Sequence, residues 1–335
     1  MHNTLMRVVK NIHEMDVKAW SEFVQHHPEG CFFHAPEYYR AFCEEPFAKS
    51  HFYAVFSDSN ELLGVSVVVV YKEANLLKRY FSRRAIAMAP PICKANNADV
   101  LRFLMDAQIN DLKNKVIYYE IRNCQNNCLN DLLQQFHFKQ FEHLNNIVGL
   151  RADFSTLSEK IVPTARGKAR KALRKKVEVR EISLTSDLSA VYQLITSLYR
   201  SIGLPYLPKT VYGNGFMGLI KNENLVILGA FLDKKLLSVM LVLCYKNEAY
   251  SWYMAGSNQA KKYSANDLLV IETLRYMQSK GLTAFNWGGA GVPEKPYGVR
   301  SFKEKFGGDT IQEQRYLKLF QPNLYRLGKM VLRKP

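Results

Sequence analysis

EAYSWYMAGSNQAKKYSANDLLVIETLRYMQSKGLTAFNWGG, residues 248–289, decides the fold. Its opening nine residues, EAYSWYMAG, are apolar and aromatic at strand length, and AFNWG (284–288) reads as a second strand. Between them Ser264, with Asp267 three residues on, spells a capping box. The helix it opens, ANDLLVIETLRYMQSK (265–280), sorts Leu268, Ile271, Glu272, Arg275 and Tyr276 into apolar and polar stripes, and Gly281 closes it. A strand, a polar loop, a capped helix and a strand place free backbone N–H groups at a helix amino terminus, where anions bind.

Working outward, one order of elements occurs twice. The first half has a helix at Val17–His26 and another from Ala35, then strands at HFYAVF, LLGVSVVVVYK and AIAMAP. A helix at ADVLRFLMDAQINDL, a strand at VIYYEIR, a helix at LNDLLQQF and a strand near IVGLRADF complete it. The second half has helices at LSAVYQLITSLYRSI and near VYGNGFMGLIK, strands at LVILGAFL, LLSVMLVLCYK and EAYSWYMAG, the capped helix and AFNWG. A helix through SFKEKF and a strand at YLKLF follow. The repeat implies an α/β (α+β) chain of two tandem domains, each a mixed, mostly antiparallel sheet flanked by helices. A length of 335 residues suits two domains. The boundary is expected between Asp153 and Lys168, giving domains at 1–155 and 156–335.

A composition of 47% hydrophobic and 12% aromatic residues excludes a disordered or fibrous chain. The longest apolar runs, Val65–Tyr71 and Leu236–Cys244, fall short of the ~20 residues of a membrane span. The opening MHNTLMRVVKNIHEMD has no apolar core before its charges, so no secretory signal is read and a cytoplasmic location is expected. Six scattered cysteines suit reduced thiols. Cys124 and Cys128, with His137 and His143 downstream, form the one metal-like pattern; its spacing is loose for zinc, and no metal is expected.

Charge is concentrated. The chain carries 46 basic and 30 acidic residues, a net +16. Nine of the basic residues lie between Lys160 and Arg180, against one acid, Glu178. In the helix expected at Thr164–Lys176, Ala165, Ala169, Ala172 and Leu173 make a narrow packing face and Arg166, Arg170 and Arg174 point outward. Such a cluster is either plain solvated surface or, because like charges repel, a seat for a polyanion.

Several of these stretches together resemble the Fem-type aminoacyltransferases, the FemAB-like branch of the GNAT acyltransferase superfamily. They are the succession from YSWYMAGS through NDLLVIETLRYMQSKGL to FNWGG and GVRSFKEKFGG, the basic ARGKARKALRKKVEVREI, and the aromatic CFFHAPEYYRAF. The resemblance covers most of the chain. It implies two GNAT-like domains with a cleft between them and transfer of an acyl or aminoacyl group to an amine; Fem enzymes transfer from charged tRNA to a peptidoglycan precursor. Three departures stand out. Lys262 occupies the place of the first glycine in the CoA-binding turn of GNAT enzymes, where a side chain crowds the approach to a pyrophosphate. Asn286 stands where many relatives carry Asp. No heptad-rich insertion is present, so no coiled-coil arm is expected.

All eight histidines precede residue 150, which removes a histidine base from the second half. Aminolysis of an ester or thioester runs on orientation once the amine is neutral, and the difficult charge is the oxyanion, which a fixed cation stabilises. Lys303 is the candidate cation, with Phe302 drying the site beside it; the alternative is solvated lysines on an amphipathic helix. Tyr199 and Arg200 are candidates for a phosphate or carboxylate clamp. Trp252 and Tyr253 are candidates to line the acceptor channel, with Asn286 near it and Phe33 and His34 closing the cleft from the first half. Arg166, Arg170, Arg174, Lys261, Lys262 and Ser264 are candidates for the phosphate of tRNA or CoA. The expected function is an acyl- or aminoacyltransferase forming an amide on a cell-envelope precursor, in cell-wall (peptidoglycan) biogenesis. It would use aminoacyl-tRNA or acyl-CoA as co-substrate and no tightly bound cofactor, with peripheral membrane contact as a further option. The alternatives are a CoA-dependent N-acyltransferase of an amino sugar or polysaccharide precursor, and a non-catalytic module that binds nucleic acid or an anionic envelope component.

Overall fold

The computed structural model describes residues 6–73, 76–124, 129–182, 185–203 and 206–332. The chain divides into two compact units, Met1–Glu142 with Glu313–Pro335, and His143–Gln312.

In the first unit β1 (Met6–Val9), α1 (Val17–His26), α2 (Pro36–Phe42), β2 (Ala48–Ser57) and β3 (Leu62–Tyr71) come first. Then follow α3 (Leu76–Ser82), β4 (Arg84–Ala87), β5 (Ile92–Cys93), α4 (Ala98–Leu112), β6 (Tyr118–Cys124) and α5 (Asn130–Gln135). Local chemistry sets the helix starts: the Asp16 side chain accepts from the N–H groups of Lys18 and Ala19, and Asn97 does the same for Asp99 and Val100. Each cap satisfies donors the first turn leaves open, a contribution of about 1 kcal/mol. Tyr53, Val68, Leu104, Met105, Tyr119 and Tyr316 meet in the core of this unit.

The second unit begins in β7 (Lys139–Gly149). It continues with α6 (Phe154–Lys160), α7 (Pro163–Arg174), β8 (Glu178–Glu181), α8 (Thr185–Ser201), α9 (Asn214–Lys221), β9 (Leu225–Leu232), β10 (Lys235–Tyr245) and β11 (Glu248–Gly256). After these come α10 (Asn258–Tyr263), α11 (Ala265–Ser279), β12 (Ala284–Gly289) and α12 (Gly298–Lys303). The chain then runs through β13 (Asp309–Leu319) back into the first unit and ends in α13 (Pro322–Leu332).

The strands of the two units share one pairing scheme. In the first unit the strand order is β1-β2-β3-β4-β6-β13, with β5 beside β3. All neighbours are antiparallel except β4 and β6, which run parallel. In the second unit the order is β8-β9-β10-β11-β12-β7, antiparallel except for the parallel pair β11 and β12. The mixed, mostly antiparallel α/β architecture is therefore present in both. In each case the sixth strand is remote in sequence from its neighbour: β13, next to β6, comes at the end of the second unit's chain segment, whereas β7, next to β12, opens that unit. This division differs from a cut at residue 155, because Tyr316–Leu319 pair with Tyr118–Ile121 of β6 and supply the core residue Tyr316.

The helix at the centre of the second unit is more deeply buried than striping suggests. Leu268, Leu269, Val270, Ile271, Leu274 and Met277 of α11 are all buried, between the sheet on one side and the alanine face of α7 (Ala165, Ala169, Ala172) on the other. Each such side chain contributes roughly 1.5–3 kcal/mol. The expected capping box does not form. Ser264 sits in the left-handed region (φ 60°, ψ 29°) and its side chain makes no cap bond, because the loop before it is itself helical as α10 and the chain must reverse between two helices. Leu173, expected in the packing face of α7, is 55% exposed.

Candidate functional site

The parallel pair β11/β12 organises the second unit's candidate site. Their register covers Glu248–Tyr250 against Ala284–Asn286 and then stops, although β11 runs on to Gly256. The strands therefore part, and beyond Tyr250 no β11 residue is in register with β12. On the other edge of β11, Leu241 pairs with Tyr253 and Val242 with Ser251, so Trp252 is the extra residue of a β-bulge, which bends the strand and leaves a residue outside the ladder.

Aromatic side chains wall this opening. Tyr199 of α8 lies 5.2 Å from Tyr253, Trp252 lies 5.7 Å from Tyr253, and Trp252 in turn meets Phe216 of α9 at 5.6 Å. The Tyr199 phenol hydrogen-bonds to the backbone of Met254, and burial pushes its pKa up to about 12, so it stays a neutral hydroxyl at physiological pH. Tyr199, expected beside Arg200 in an anion clamp, instead meets Tyr253, and through it Trp252. Arg200 is not part of this wall: its Nε donates to the Tyr206 hydroxyl at 2.7 Å and its guanidinium lies over that ring.

The stretch GVRSFKEKFGG packs against the end of β12. Lys303 is buried and directed inward, and its Nζ donates to the carbonyl oxygens of Trp287 (2.8 Å), Gly288 (3.2 Å) and Gly289 (2.7 Å). One turn earlier on α12, Arg300 donates to the carbonyls of Ala290 (2.8 Å), Val292, Pro293 (3.4 Å) and Lys295 (3.2 Å). Seven carbonyls of the segment leaving β12 are held by two cations. A backbone that leaves a sheet loses ladder partners for its acceptors, and buried acceptors must be paired. The role expected of Lys303 changes accordingly: its three N–H donors are matched by three backbone acceptors, so it positions the end of β12 rather than presenting an open cation to an oxyanion. Phe302 packs against Trp287 (6.3 Å) and Phe306 (5.1 Å), an aromatic base under the same segment.

Asn286 also serves the turn. It donates to Glu248 across the parallel pair at 2.7 Å and accepts from the Gly288 N–H at 2.9 Å. Gly288 has φ +67°, and a Cβ there would stand 2.7 Å from the Tyr250 hydroxyl, so both conformation and space require glycine.

At the amino terminus of α11 Asp267, expected only as the partner of Ser264 in a capping box, has a different place. Asp267 is buried, and burial raises its carboxyl pKa, opposed by Lys168 of α7 and by Lys305. An anion arriving at this terminus therefore meets a carboxyl group already there. Lys261 and Lys262 lie exposed on α10, with the Lys262 ammonium 5.7 Å from the Tyr263 ring. On α7, Arg170, Lys171 and Arg174 are exposed, as are Lys175 and Lys176 just after it, and Arg166 is half-buried; among the described residues no acidic side chain forms a salt bridge with this helix.

Phe33 and His34 are core residues of the first unit rather than wall residues. His34 Nε2 donates to the Pro90 carbonyl at 2.7 Å, which leaves Nδ1 to accept from the Cys31 N–H at 3.2 Å, and Phe33 packs edge-on to Tyr38. Cys128 lies outside the described residues. Among the described residues no group of three or more His, Cys, Asp or Glu could hold a metal, and no helix is long and apolar enough to cross a membrane.

Residues 162–299, which span α7 through the start of α12, match the family described as "Acetyltransferase (GNAT) domain". The second unit is thereby placed in the acyltransferase class. The chain as a whole has the FemAB-like, tandem-GNAT fold. Superposition on the structure of FemX gives a TM-score of 0.71 at 15% identity, over 93% of this chain and 98% of that one. A tandem GNAT protein from the clavulanic acid biosynthesis pathway gives 0.62 at 12% identity, over 94% and 99%. The C-terminal domain of a putative lysylphosphatidylglycerol synthetase from Agrobacterium fabrum gives 0.58 at 15% identity, over 95% and 96%. No curated protein matches the sequence.

Proposed function

We propose that the second unit transfers an aminoacyl group from the ester of a charged tRNA to an amine, forming an amide on a cell-envelope precursor. The observation that carries this reading is the parting of β11 from β12 beside the Trp252 bulge. It leaves backbone groups and the Tyr199 hydroxyl at one opening in a water-poor aromatic wall. The neutral amine attacks the acyl carbon, backbone donors at the bulge receive the developing oxyanion, and the ester oxygen departs with the proton the amine gives up. Tyr199, neutral because its pKa lies well above physiological pH, is a donor for that oxygen.

Two features favour the tRNA ester over CoA as donor. The Asp267 carboxyl occupies the surroundings of the α11 terminus, and α10 fills the loop where an open glycine turn would receive a pyrophosphate. The exposed cations of α7 supply instead a positive helical face of the kind that tracks a nucleic-acid backbone. The envelope precursor as acceptor follows from the Fem-type resemblance.

Thermal unfolding in the presence of charged tRNA or of acetyl-CoA tests the choice, since a ligand selective for the native state raises its stability. Stabilisation by charged tRNA, together with amide formation on a muramyl-peptide amine, is the expected result. Stabilisation by acetyl-CoA alone would transfer the site to the CoA-dependent N-acyltransferase reading. Binding of tRNA without transfer to any amine would leave a binding module.

A further inference from the structure

In the first unit α3 and α13 pack side by side. A Cβ on Gly328 would stand 2.9 Å from the Phe81 carbonyl oxygen, so glycine lets the two backbones close together. Tyr325 turns inward and meets Tyr118 edge-on at 5.3 Å. With Tyr325 and Gly328 on the inner face, the other side of α13 presents Arg326, Leu327 and Met330, and Lys329 flanks Tyr325; all four are exposed.

Leu327 is 45% exposed, Met330 65%, and Tyr80 of α3 52%. Single exposed apolar residues are ordinary, but large ones gathered on one pair of helices mark an interaction surface. The charge around them has one sign. α3 with the two residues after it carries Lys78, Arg79, Arg83 and Arg84, and α13 carries Arg326 and Lys329, with no acid in either. The Arg83 guanidinium lies 5.3 Å from the Tyr80 ring and the Lys329 ammonium 4.7 Å from the Tyr325 ring, so cations and aromatic surface alternate.

A nucleic acid would use the cations and leave Leu327 and Met330 in water. A lipid surface uses both: apolar side chains enter at headgroup depth, while basic residues meet the phosphates. We propose that the α3–α13 face docks on an anionic lipid membrane, with Tyr80, Leu327 and Met330 inserted and Arg83, Arg326 and Lys329 on the headgroups. Each Lys or Arg near such a surface strengthens attachment about fivefold, and the attraction is screened by salt. This docking needs no acyl donor and stands whether or not the second unit transfers one.

Flotation of the full chain with phosphatidylcholine–phosphatidylglycerol vesicles, against phosphatidylcholine alone, tests it. Co-flotation with the mixed vesicles, reduced by salt, is expected. Leu327→Ser with Met330→Ser should weaken it about tenfold, and Arg326→Glu with Lys329→Glu should remove it. These side chains are exposed, and unchanged thermal unfolding of both variants will establish that they fold. Absence of binding to mixed vesicles, or binding that survives both pairs of substitutions, overturns the proposal. So does RNA binding lost in the charge-reversed variant when no vesicle binding is seen.

Discussion

The Lys303 ammonium lies 2.7 Å from the carbonyl oxygen of Gly289, fourteen residues earlier in the chain, and holds the two preceding carbonyls as well. Lys303→Met keeps the aliphatic stem and removes the charge. Three buried acceptors then lose their donor, and stability should fall by about 3 kcal/mol, a Tm decrease of about 5–10 °C. Chemical denaturation measures it. A variant as stable as the parent but without turnover would instead place the ammonium on the reacting atoms.

Gly288→Ala should destabilise the second unit by about 2–3 kcal/mol, from a left-handed backbone and from the Cβ meeting the Tyr250 hydroxyl. Adding Tyr250→Phe removes the second cause but not the first. The double variant should therefore regain part of the loss, and denaturation curves for the four proteins of the cycle will give the coupling. Simple additivity would show that the hydroxyl does not limit the space.

Asp267 links pH to stability. Burial raises its folded pKa above the unfolded value, so the folded state holds the proton more tightly. Its contribution favours folding below the ordinary carboxylate range and is lost as pH rises through that range to the raised folded value. Asp267→Asn should flatten this part of the pH–stability profile and raise Tm at neutral pH. It should also increase stabilisation by acetyl-CoA, because the helix terminus no longer carries a competing carboxyl group. An unchanged profile would mean that Lys168 and Lys305 compensate the burial fully.

Arg170→Gln with Arg174→Gln removes two exposed cations from α7 at little cost in stability. Binding of charged tRNA, followed by fluorescence anisotropy, should weaken, and the log–log salt dependence should become shallower by about one to two units. An identical slope would remove α7 from the interface.

Much of this architecture was legible because its strands carry their signal locally. β9 and β11 occupy the residues expected, Leu225–Leu232 and Glu248–Gly256, since each is a continuous apolar or aromatic run between turn residues. The place of the sixth strands was not legible, since Tyr316–Leu319 pairs with β6 residues nearly two hundred positions earlier in the chain. α10 was missed because SNQAKKY has loop composition, and its start depends on one cap, the Ser257 side chain accepting from the Ala260 N–H. α3 and α13 are short and basic, and each is fixed by the other. In the candidate site the aromatic wall and the inward lysine could be picked out by residue type. The partners of Lys303 could not, because backbone carbonyls without a ladder leave no mark in sequence. Asp267 reads as half of a capping box because the nearness of Lys168 of α7 leaves no mark in the local sequence.

The late arrival of β13 sets an order of assembly during synthesis. All six strands of the second unit, β7 to β12, have been made by residue 289, whereas the first unit lacks one of its strands until residue 319. The half of the protein translated first is thus finished last. Until then β6 keeps an open edge, and chaperones or a second nascent chain would find it there.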